Sequence, residues 1–538
     1  YRELRRLEHK IVASLAKNAA QQDMFANAGQ GIGVLKVNVD QMYGIEVEEF
    51  PSLIAQTAIW LTDHQMNMEY SRESGKTFKR LPLTHSATIV NANALTTDWA
   101  DVVSPSELNY ILGNPPFVGQ TWQTKEQKQE VARVLGDMQH TGTLDFVSAW
   151  YGKSAAMMQR NKNVQTALVS TNSIAQGEQA SILWEYLFKL GVHINFAHRT
   201  FQWTNDARGV AAVHCVIVGI ALTDRSDKRL FYYDNIKDEP AERSAKNINQ
   251  YLIDAPSVIV RNRSIPISNV PKMSWGNKPT DGGYFLLSTE ERNDVLSREP
   301  GIERYIKRYM SGGDFVNGIN RYCLWLKDVD PSDIRSSKFI AERVDGVRRT
   351  RLASRAATTR EYAKYPTIFR QISQPDTDYL AIPEVSSERR VYIPMAYVSK
   401  DIICSNKVQF IPDATHYHFG ILTSQVHMAW MRVTAGRLKS DYSYSNTLVY
   451  NNFIWPEVSE AQRTEIETLA QAVLDARAEF PNSTLADLYD PNTMPPSLTK
   501  AHKALDRAVD RLYRKEPFGS DAERVALLFD LYERINRS

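Results

Sequence analysis

Apolar residues at helical spacing open the chain, in "YRELRRLEHKIVASLAKNAAQQ", and the next segment, "QMYGIEVEEF", reads as a short strand that ends in acids. "PSLIAQTAIWLTDHQMNMEY" brings proline at a helix start and returns to helical periodicity, which makes a β-to-α unit. "HSATIVNANAL" and "LNYILGNPPF" predict two further strands, each running into polar residues, and "TLDFVSAWYGKSAAMMQR" predicts an amphipathic helix. A strand in "NVQTALVSTNSI", a helix around "QASILWEYLFKLG" and the strands "VHINFAHRTFQW" and "AAVHCVIVGIAL" follow. Strands alternating with helices and closing on a strand pair predict a doubly wound α/β sheet with an antiparallel edge, running to about residue 225.

From residue 226 the pattern shortens. Brief strand-like pieces, turns such as "TDGGY" and "SGGD", and the arginine-dense "ERVDGVRRTRLASRAATTREY" predict a mixed α+β domain over residues 226–456. After "YNNFIWP" the pattern is helical through residues 457–538, with capping boxes at Ser459 with Gln462 and at Ser520 with Glu523. Composition adds exclusions. No apolar run reaches the roughly 20 residues that span a bilayer. The three cysteines, Cys215, Cys323 and Cys404, match no metal-ligand spacing and are too few for a disulfide framework, which fits a reducing cytoplasm. A net charge of +2 from 64 basic and 62 acidic residues leaves any nucleic-acid affinity to the placement of charge.

Chemistry gathers at strand ends. Asn114-Pro115-Pro116-Phe117 follows an apolar strand that the two prolines cannot continue, so the chain turns where an open α/β sheet binds its ligands. That corner suits an exocyclic amine on a base. Such a nitrogen has its lone pair delocalised into the ring, and becomes nucleophilic when both hydrogens are held by acceptors that favour a tetrahedral geometry. The Asn114 side-chain oxygen and the Pro115 carbonyl, fixed in direction by the Pro-Pro unit, are two such acceptors, and Phe117 offers a face for an extruded base. Phe201, in "HRTFQW", is either the second wall or a core aromatic. Glu46, closing "YGIEV", stands where a nucleotide-binding sheet places an acid for ribose hydroxyls, with a solvated strand-end acid as the alternative. Asn93 stands where an amide meets a cofactor's base, or forms a turn. The glycines of "NAGQGIGVL" lack a preceding strand and read as a connection rather than a phosphate loop.

With these residues in place the sequence resembles a known family. "GNPPF", "YGIEVEEF", "LDFVSAWYGK" and "RTFQW" resemble motifs IV, II, V and VIII of the class I, S-adenosylmethionine-dependent DNA adenine-N6 methyltransferases in the gamma order. "GNKPTDGGYFLLS", "FVNGINRYCLWL", "VSSERRVYIP" and "HYHFGILTSQVHMAWMRVTAGRLKSDYSYSNTLVYNNFIWP" resemble the target recognition region of the MmeI-like, type IIL enzymes, which join methylation, recognition and usually cleavage in one polypeptide. The resemblance covers nearly all of the chain. It implies a Rossmann-like methyltransferase sheet at residues 1–225 that is partial, its first strand missing because the chain begins just after motif I, then a target recognition domain at 226–456 and a helical C-terminal segment at 457–538. It further implies S-adenosylmethionine as cofactor, with a site incomplete in this chain and weak or absent binding, double-stranded DNA as partner, no metal, and a prokaryotic cytoplasm. Glu46, Asn93 and Asn114 would meet the cofactor; Asn114, Pro115, Pro116 and Phe117 would hold the target base; Phe201 would stack on it. Asn93 departs from the aspartate common at that position.

The arginine segment, with Arg343, Arg348, Arg349, Arg351, Arg355 and Arg360, is expected to contact DNA, since clustered arginines neutralise phosphates and read guanine. "SSERRVYIP" sets Glu388 beside Arg389 and Arg390, groups able to read a G·C pair. Arg437, Lys439, Tyr442 and Tyr444 of "GRLKSDYSYS" are expected to grip the backbone. Two rival readings remain: a methyltransferase acting on RNA or on protein glutamine, which shares the Asn-Pro-Pro-aromatic corner, and a chain that binds DNA without methylating it.

Overall fold

The computed structural model describes residues 1–21, 35–74, 86–136, 138–203, 213–233, 238–438 and 440–537. The chain divides into two compact units. One comprises Tyr1–Val169, Tyr186–His193 and Gly219–Asp224; the other comprises Ser170–Glu185, Ile194–Val218 and Arg225–Ser538. The expected glycine-rich connection "NAGQGIGVL" lies almost wholly outside the described residues.

The first unit holds helix α1 (Arg2–Gln21), strand β1 (Tyr43–Glu46), helix α2 (Glu49–Ser74), strand β2 (Thr88–Asn91), strand β3 (Tyr110–Gly113), helices α3 (Lys125–Leu135) and α4 (Ser148–Arg160), and most of strand β4 (Gln165–Thr171). β1 pairs in parallel with β2, Tyr43 opposite Thr88, and β3 pairs in parallel with β4, Tyr110 opposite Gln165. Parallel neighbours joined through helices are the doubly wound pattern. α4 is buried on nearly all sides, and its small residues permit close packing: a Cβ on Gly152 would come within 2.7 Å of Leu135 on α3.

α1 is turned against its own amphipathicity. Its apolar stripe, Leu4, Leu7, Ile11 and Leu15, is exposed, whereas Arg5, Glu8 and His9 are buried. Polar pairing explains the inversion. Arg5 donates to Asn67 on α2 at 2.7 Å and to the Val37 carbonyl at 3.1 Å, and Arg6 reaches Glu69 at 3.1 Å.

Helix α5 (Gly177–Lys189), strand β5 (His193–Trp203) and strand β6 (Val213–Ala221) each contribute residues to both units. Within the second unit, β5 pairs in parallel with strand β7 (Lys228–Tyr232), and β7 pairs antiparallel with strand β8 (Ala241–Ala245). Thus two strands after residue 225 belong to the same sheet as β5. Beyond them lie a four-stranded sheet on a core that includes Phe285, Leu324 and Phe369, a second four-stranded sheet around Tyr379 and Phe410, and a three-stranded sheet formed by Val385–Ser386, Gly436–Leu438 and Asp441–Ser443. The arginine-dense segment is the helix Lys338–Leu352, capped by the Ser337 hydroxyl.

The last segment is helical, as the periodicity predicts. The box at Ser459 and Gln462 forms in both directions. At Ser520 only one arm forms: the Ser520 hydroxyl accepts from Glu523 N–H, but the Glu523 carboxylate is drawn away to Arg514 and to the Gly519 N–H. An arginine nine residues back outcompetes the neutral backbone donor, because a charge-assisted bond is the stronger of the two. All three cysteines are free and buried. No helix among the described residues is long and apolar enough to cross a membrane.

Candidate active site and nucleic-acid interface

The first site is a cavity of about 830 Å³ in the first unit. β1 brings Ile45 and Glu46, the turn after β2 brings Asn93, β3 and its corner bring Ile111 through Pro116, and α3 brings Glu126, Gln127 and Glu130. Trp99, Val103 and Met157 form an apolar wall, with Ile45, Ile111 and Trp150 packed against it.

The corner is fixed from behind and open in front. Phe146 N–H donates to the Val118 carbonyl at 2.9 Å, Gln120 N–H donates to Asp145 at 3.0 Å, and Gln123 donates to the Leu144 carbonyl at 2.8 Å. "LDFVS" therefore holds "NPPFVG" in place. Asn114 itself is exposed, Pro115 is buried and Phe117 is half-buried. Among the described residues, neither the Asn114 amide nor the Pro115 carbonyl has a hydrogen-bond partner, so both acceptors are free for an incoming donor.

Glu46 is half-buried and accepts from Glu48 N–H at 3.1 Å. Asn93 is tied into its turn: its oxygen accepts from Leu95 N–H at 2.8 Å and its amide donates to Glu130 at 2.7 Å. Glu126 and Glu130, four residues apart, lie on one face of α3 and join Glu46 in giving the cavity a carboxylate-rich lining. The i, i+4 spacing in "KEQKQE" was the available sequence signal for that face.

The second site is in the second unit. Val385 pairs with Ser443 and Ser386 with Tyr442, so "SSERR" and "GRLKSDYS" belong to one small sheet. Glu388 lies 3.6 Å from Arg437, which donates to the Ser440 carbonyl at 2.7 Å and stacks on Tyr442 at 3.9 Å. Arg389 lies 3.9 Å from Asp490. Burial lowers the Arg390 guanidinium from its ordinary value.

Directly after this loop, Tyr392 donates to Asp506 at 2.6 Å and stacks on His502 at 4.0 Å, while Arg432 donates to the Val391 carbonyl at 2.8 Å. Burial, opposed by the Tyr392 and Gln425 hydrogen bonds, pushes the Asp506 carboxyl up to about 6. The C-terminal helices thereby brace the loop, a contribution with no signature along the chain because Tyr392 and Asp506 are 114 residues apart.

Family models for the MmeI DNA-methyltransferase domain, target recognition domain and C-terminal domain match residues 1–232, 254–457 and 458–538. A solved structure of the type IIL restriction-modification enzyme MmeI in complex with DNA is 48% identical, with a TM-score of 0.88 over 100% of this chain and 71% of that one. This chain belongs to the MmeI family. DNA methyltransferase A of Bacillus subtilis (strain 168) is 39% identical over 99% of this chain, which spans 59% of that relative's length.

As a member of the MmeI family, the chain carries a DNA-methyltransferase domain, and its cavity and corner lie within the residues matched by that domain's model. Asn114, Pro115 and Pro116 line the cavity with Glu46 and Asn93. Phe201 is in the second unit, 5.3 Å from the Tyr233 ring and 6.4 Å from His198.

Several residues expected at DNA are placed otherwise. Arg351 is fully buried and donates to the carbonyls of Pro279, Thr280, Tyr362, Tyr365 and Ile368, so its donors are spent on the fold and we remove it from the DNA-contact set. Tyr442 and Tyr444 are buried, and the Tyr444 hydroxyl is 2.9 Å from His427, so neither grips a backbone. Arg348 and Arg349 are exposed, the latter paired with Asp345 at 2.9 Å. Arg343 is held by Glu291 at 3.1 Å, and Arg360 donates to the Ser354 and Arg355 carbonyls. Lys439 lies outside the described residues.

Proposed function

We propose that this chain is the methylating and sequence-reading part of a single-chain restriction-modification protein, one that transfers a methyl group to N6 of an adenine turned out of a specific duplex DNA site. The observation that carries this reading is the corner after β3: two unpartnered acceptors on a braced turn, at the rim of a cavity large enough for a cofactor. The solved relative held with DNA supports duplex DNA as the substrate.

The carboxylates of Glu46, Glu126 and Glu130 fit S-adenosylmethionine, whose sulfonium and ammonium groups are cationic, and the apolar wall fits its adenine. Glu46 would accept the ribose hydroxyls and Asn93 would lie against the ring. When bound, the cofactor supplies an electrophilic methyl group. Asn114 Oδ1 accepts one hydrogen of the adenine amine and the Pro115 carbonyl accepts the other, which draws N6 toward a tetrahedral geometry and frees its lone pair. As N6 gains the methyl carbon it becomes positive, and both acceptors stabilise that charge. N6 then releases one proton to solvent through the open corner, since an amide oxygen is too weak a base to keep it. Phe117 would stack on one face of the base.

The test is nucleoside mass spectrometry of duplex DNA incubated with the full-length protein and labelled S-adenosylmethionine. Label in N6-methyladenine supports the reading. Label in RNA or in glutamine side chains, with none in DNA, would replace it. DNA binding without label in any substrate would favour a binding-only role.

A further inference from the structure

A second cavity, of about 240 Å³, lies within the second unit, lined by Gln176, Arg199, Tyr232, Arg432 and Arg437 among others. It is rich in cations, and no carboxylate lines it among the described residues. Arg432 is committed to Asp521 at 2.6 Å, and Arg437 has Glu388 at 3.6 Å. Arg199 has no ion pair among the described residues. Its guanidinium lies 5.1 Å from the Tyr232 ring centre, and Arg243 shares that ring at 4.9 Å. Burial lowers the Arg199 guanidinium from its ordinary value, opposed by Tyr232 and reinforced by the positive charges of Arg437 and Arg243.

Two residues of the lining each bury a polar atom that has no hydrogen-bond partner among the described residues: Arg437 Nε and Gln176 Oε1. An orphaned buried donor carries its full desolvation cost until an acceptor meets it. The position is also held firmly. Gly177 adopts a positive φ of 55°, and a Cβ there would come within 3.0 Å of the Gly436 Cα. Ala175 and Gln176 lead into α5, so the positive end of a 13-residue helix adjoins the cavity.

We propose that this cavity seats one phosphodiester group of bound DNA, with Arg199 as its principal cation. The inference rests on the DNA reading above and names a contact that it leaves open. A phosphodiester brings a full negative charge and accepts only, which suits a lining short of anions and provided with guanidinium N–H groups. It would take the Arg199 fork and, once a shift of the Arg437 side chain uncovers it, the Arg437 Nε–H. A half-turn of the Gln176 amide replaces its unpaired oxygen with an N–H₂ donor to the same group. The contact positions DNA without reading sequence.

The test compares the full-length protein with Arg199→Ala, Arg199→Lys and Gln176→Glu, by fluorescence anisotropy of a labelled duplex of arbitrary sequence over a range of salt. Arg199→Ala is expected to weaken binding about tenfold and to reduce the salt slope by about one counterion, while Arg199→Lys keeps the slope. Gln176→Glu supplies the missing carboxylate. It is expected to keep or raise the melting temperature while lowering duplex affinity about tenfold, opposite signs that a purely structural Arg199 would not give. Parental affinity and slope in Gln176→Glu overturn the proposal, whatever Arg199→Ala does. Should the parental protein bind no duplex, the DNA reading fails by itself and inorganic phosphate decides the cavity. A phosphate-dependent rise in melting temperature that Gln176→Glu loses supports an oxyanion seat, and an equal rise in both proteins overturns it.

Discussion

At the end of β3 the exposed Asn114 amide and the Pro115 carbonyl stand without partners among the described residues; around Glu388 and Arg437 nearly every polar group already has one. Asn114 is free, and its support comes from backbone bonds to Val118 and Gln120 behind it. Arg437 is bonded to Ser440, stacked on Tyr442 and placed beside Glu388, while Tyr392 and Arg432 tie the adjoining loop to helices far along the chain. The difference suits the two tasks proposed for these sites, holding a base amine at Asn114 and reading a base pair at Glu388, with Arg437 beside it as grip. An acceptor for a base amine must be vacant until the base arrives and must then be in place at once. Groups that discriminate between bases must be held still, because a mobile side chain can satisfy the wrong base as readily as the right one.

The largest expected effect breaks the vacant side of the comparison. Asn114→Ala in the full-length protein should lower single-turnover methylation by about 10²–10³-fold or more, the cost of losing an acceptor used in the transition state, while duplex affinity stays essentially unchanged. Methylation at the parental rate would remove Asn114 from the mechanism. The next largest lies within one helix. Arg351→Met should lower the unfolding free energy by about 3–5 kcal/mol, since five carbonyls lose a buried charged partner, whereas the exposed Arg348→Ala should change it by less than about 0.5 kcal/mol. Urea unfolding of both variants checks this, and similar losses in the two would contradict the division of that helix into a buried and a free arginine.

A third prediction concerns the brace. Asp506 is raised to about 6 in the folded protein, against about 3.9 when unfolded. The folded state therefore holds its proton more tightly, so its contribution to stability is greatest below about pH 4, falls as pH rises from about 4 to about 6, and is level above. Asp506→Asn should lose that slope, which urea midpoints measured from pH 4 to 7 will show; equal slopes in both proteins would place the titration elsewhere.

The smallest effects sharpen the braced side. Glu388→Ala or Arg390→Ala should alter preference at a single base pair by about 1–3 kcal/mol in binding-site selection. Because Glu388 and Arg437 are 3.6 Å apart, Arg437→Ala should disturb that same position as well as lowering affinity. A double-mutant cycle should find a coupling of about 0.2–1 kcal/mol, as expected for a partly exposed pair. Zero coupling would separate grip from reading again.

Much of this was readable along the chain. The alternation of strands and helices, the turn forced by Pro115 and Pro116, and the box at Ser459 and Gln462 all rest on interactions within a few residues, and they form as local rules require. Arg351 was readable only in part. In the row Arg348, Arg349, Arg351 it resembles its neighbours, yet it follows buried Val347 by four positions and so shares that residue's helical face. Asn93 was read as a cofactor contact or a turn former; the turn forms, but its bond to Glu130 spans 37 residues and has no signature in either segment.

The sequence by itself determined the order of strands and helices along the first 225 residues, apart from α3, which residues stand at strand ends, and the chemistry those residues can perform, because helical and strand periodicity, proline and capping act over short distances. Only the tertiary structure decided which face of an element is covered and which charges are free. α1 illustrates the division. Its period of apolar residues defined a helix, but the buried side is the one carrying Arg5, Glu8 and His9, where Arg5 bonds to Asn67 and the Val37 carbonyl and Glu8 accepts from the Val37 N–H. Periodicity reports the composition of each face. Burial depends on what the rest of the chain brings against it.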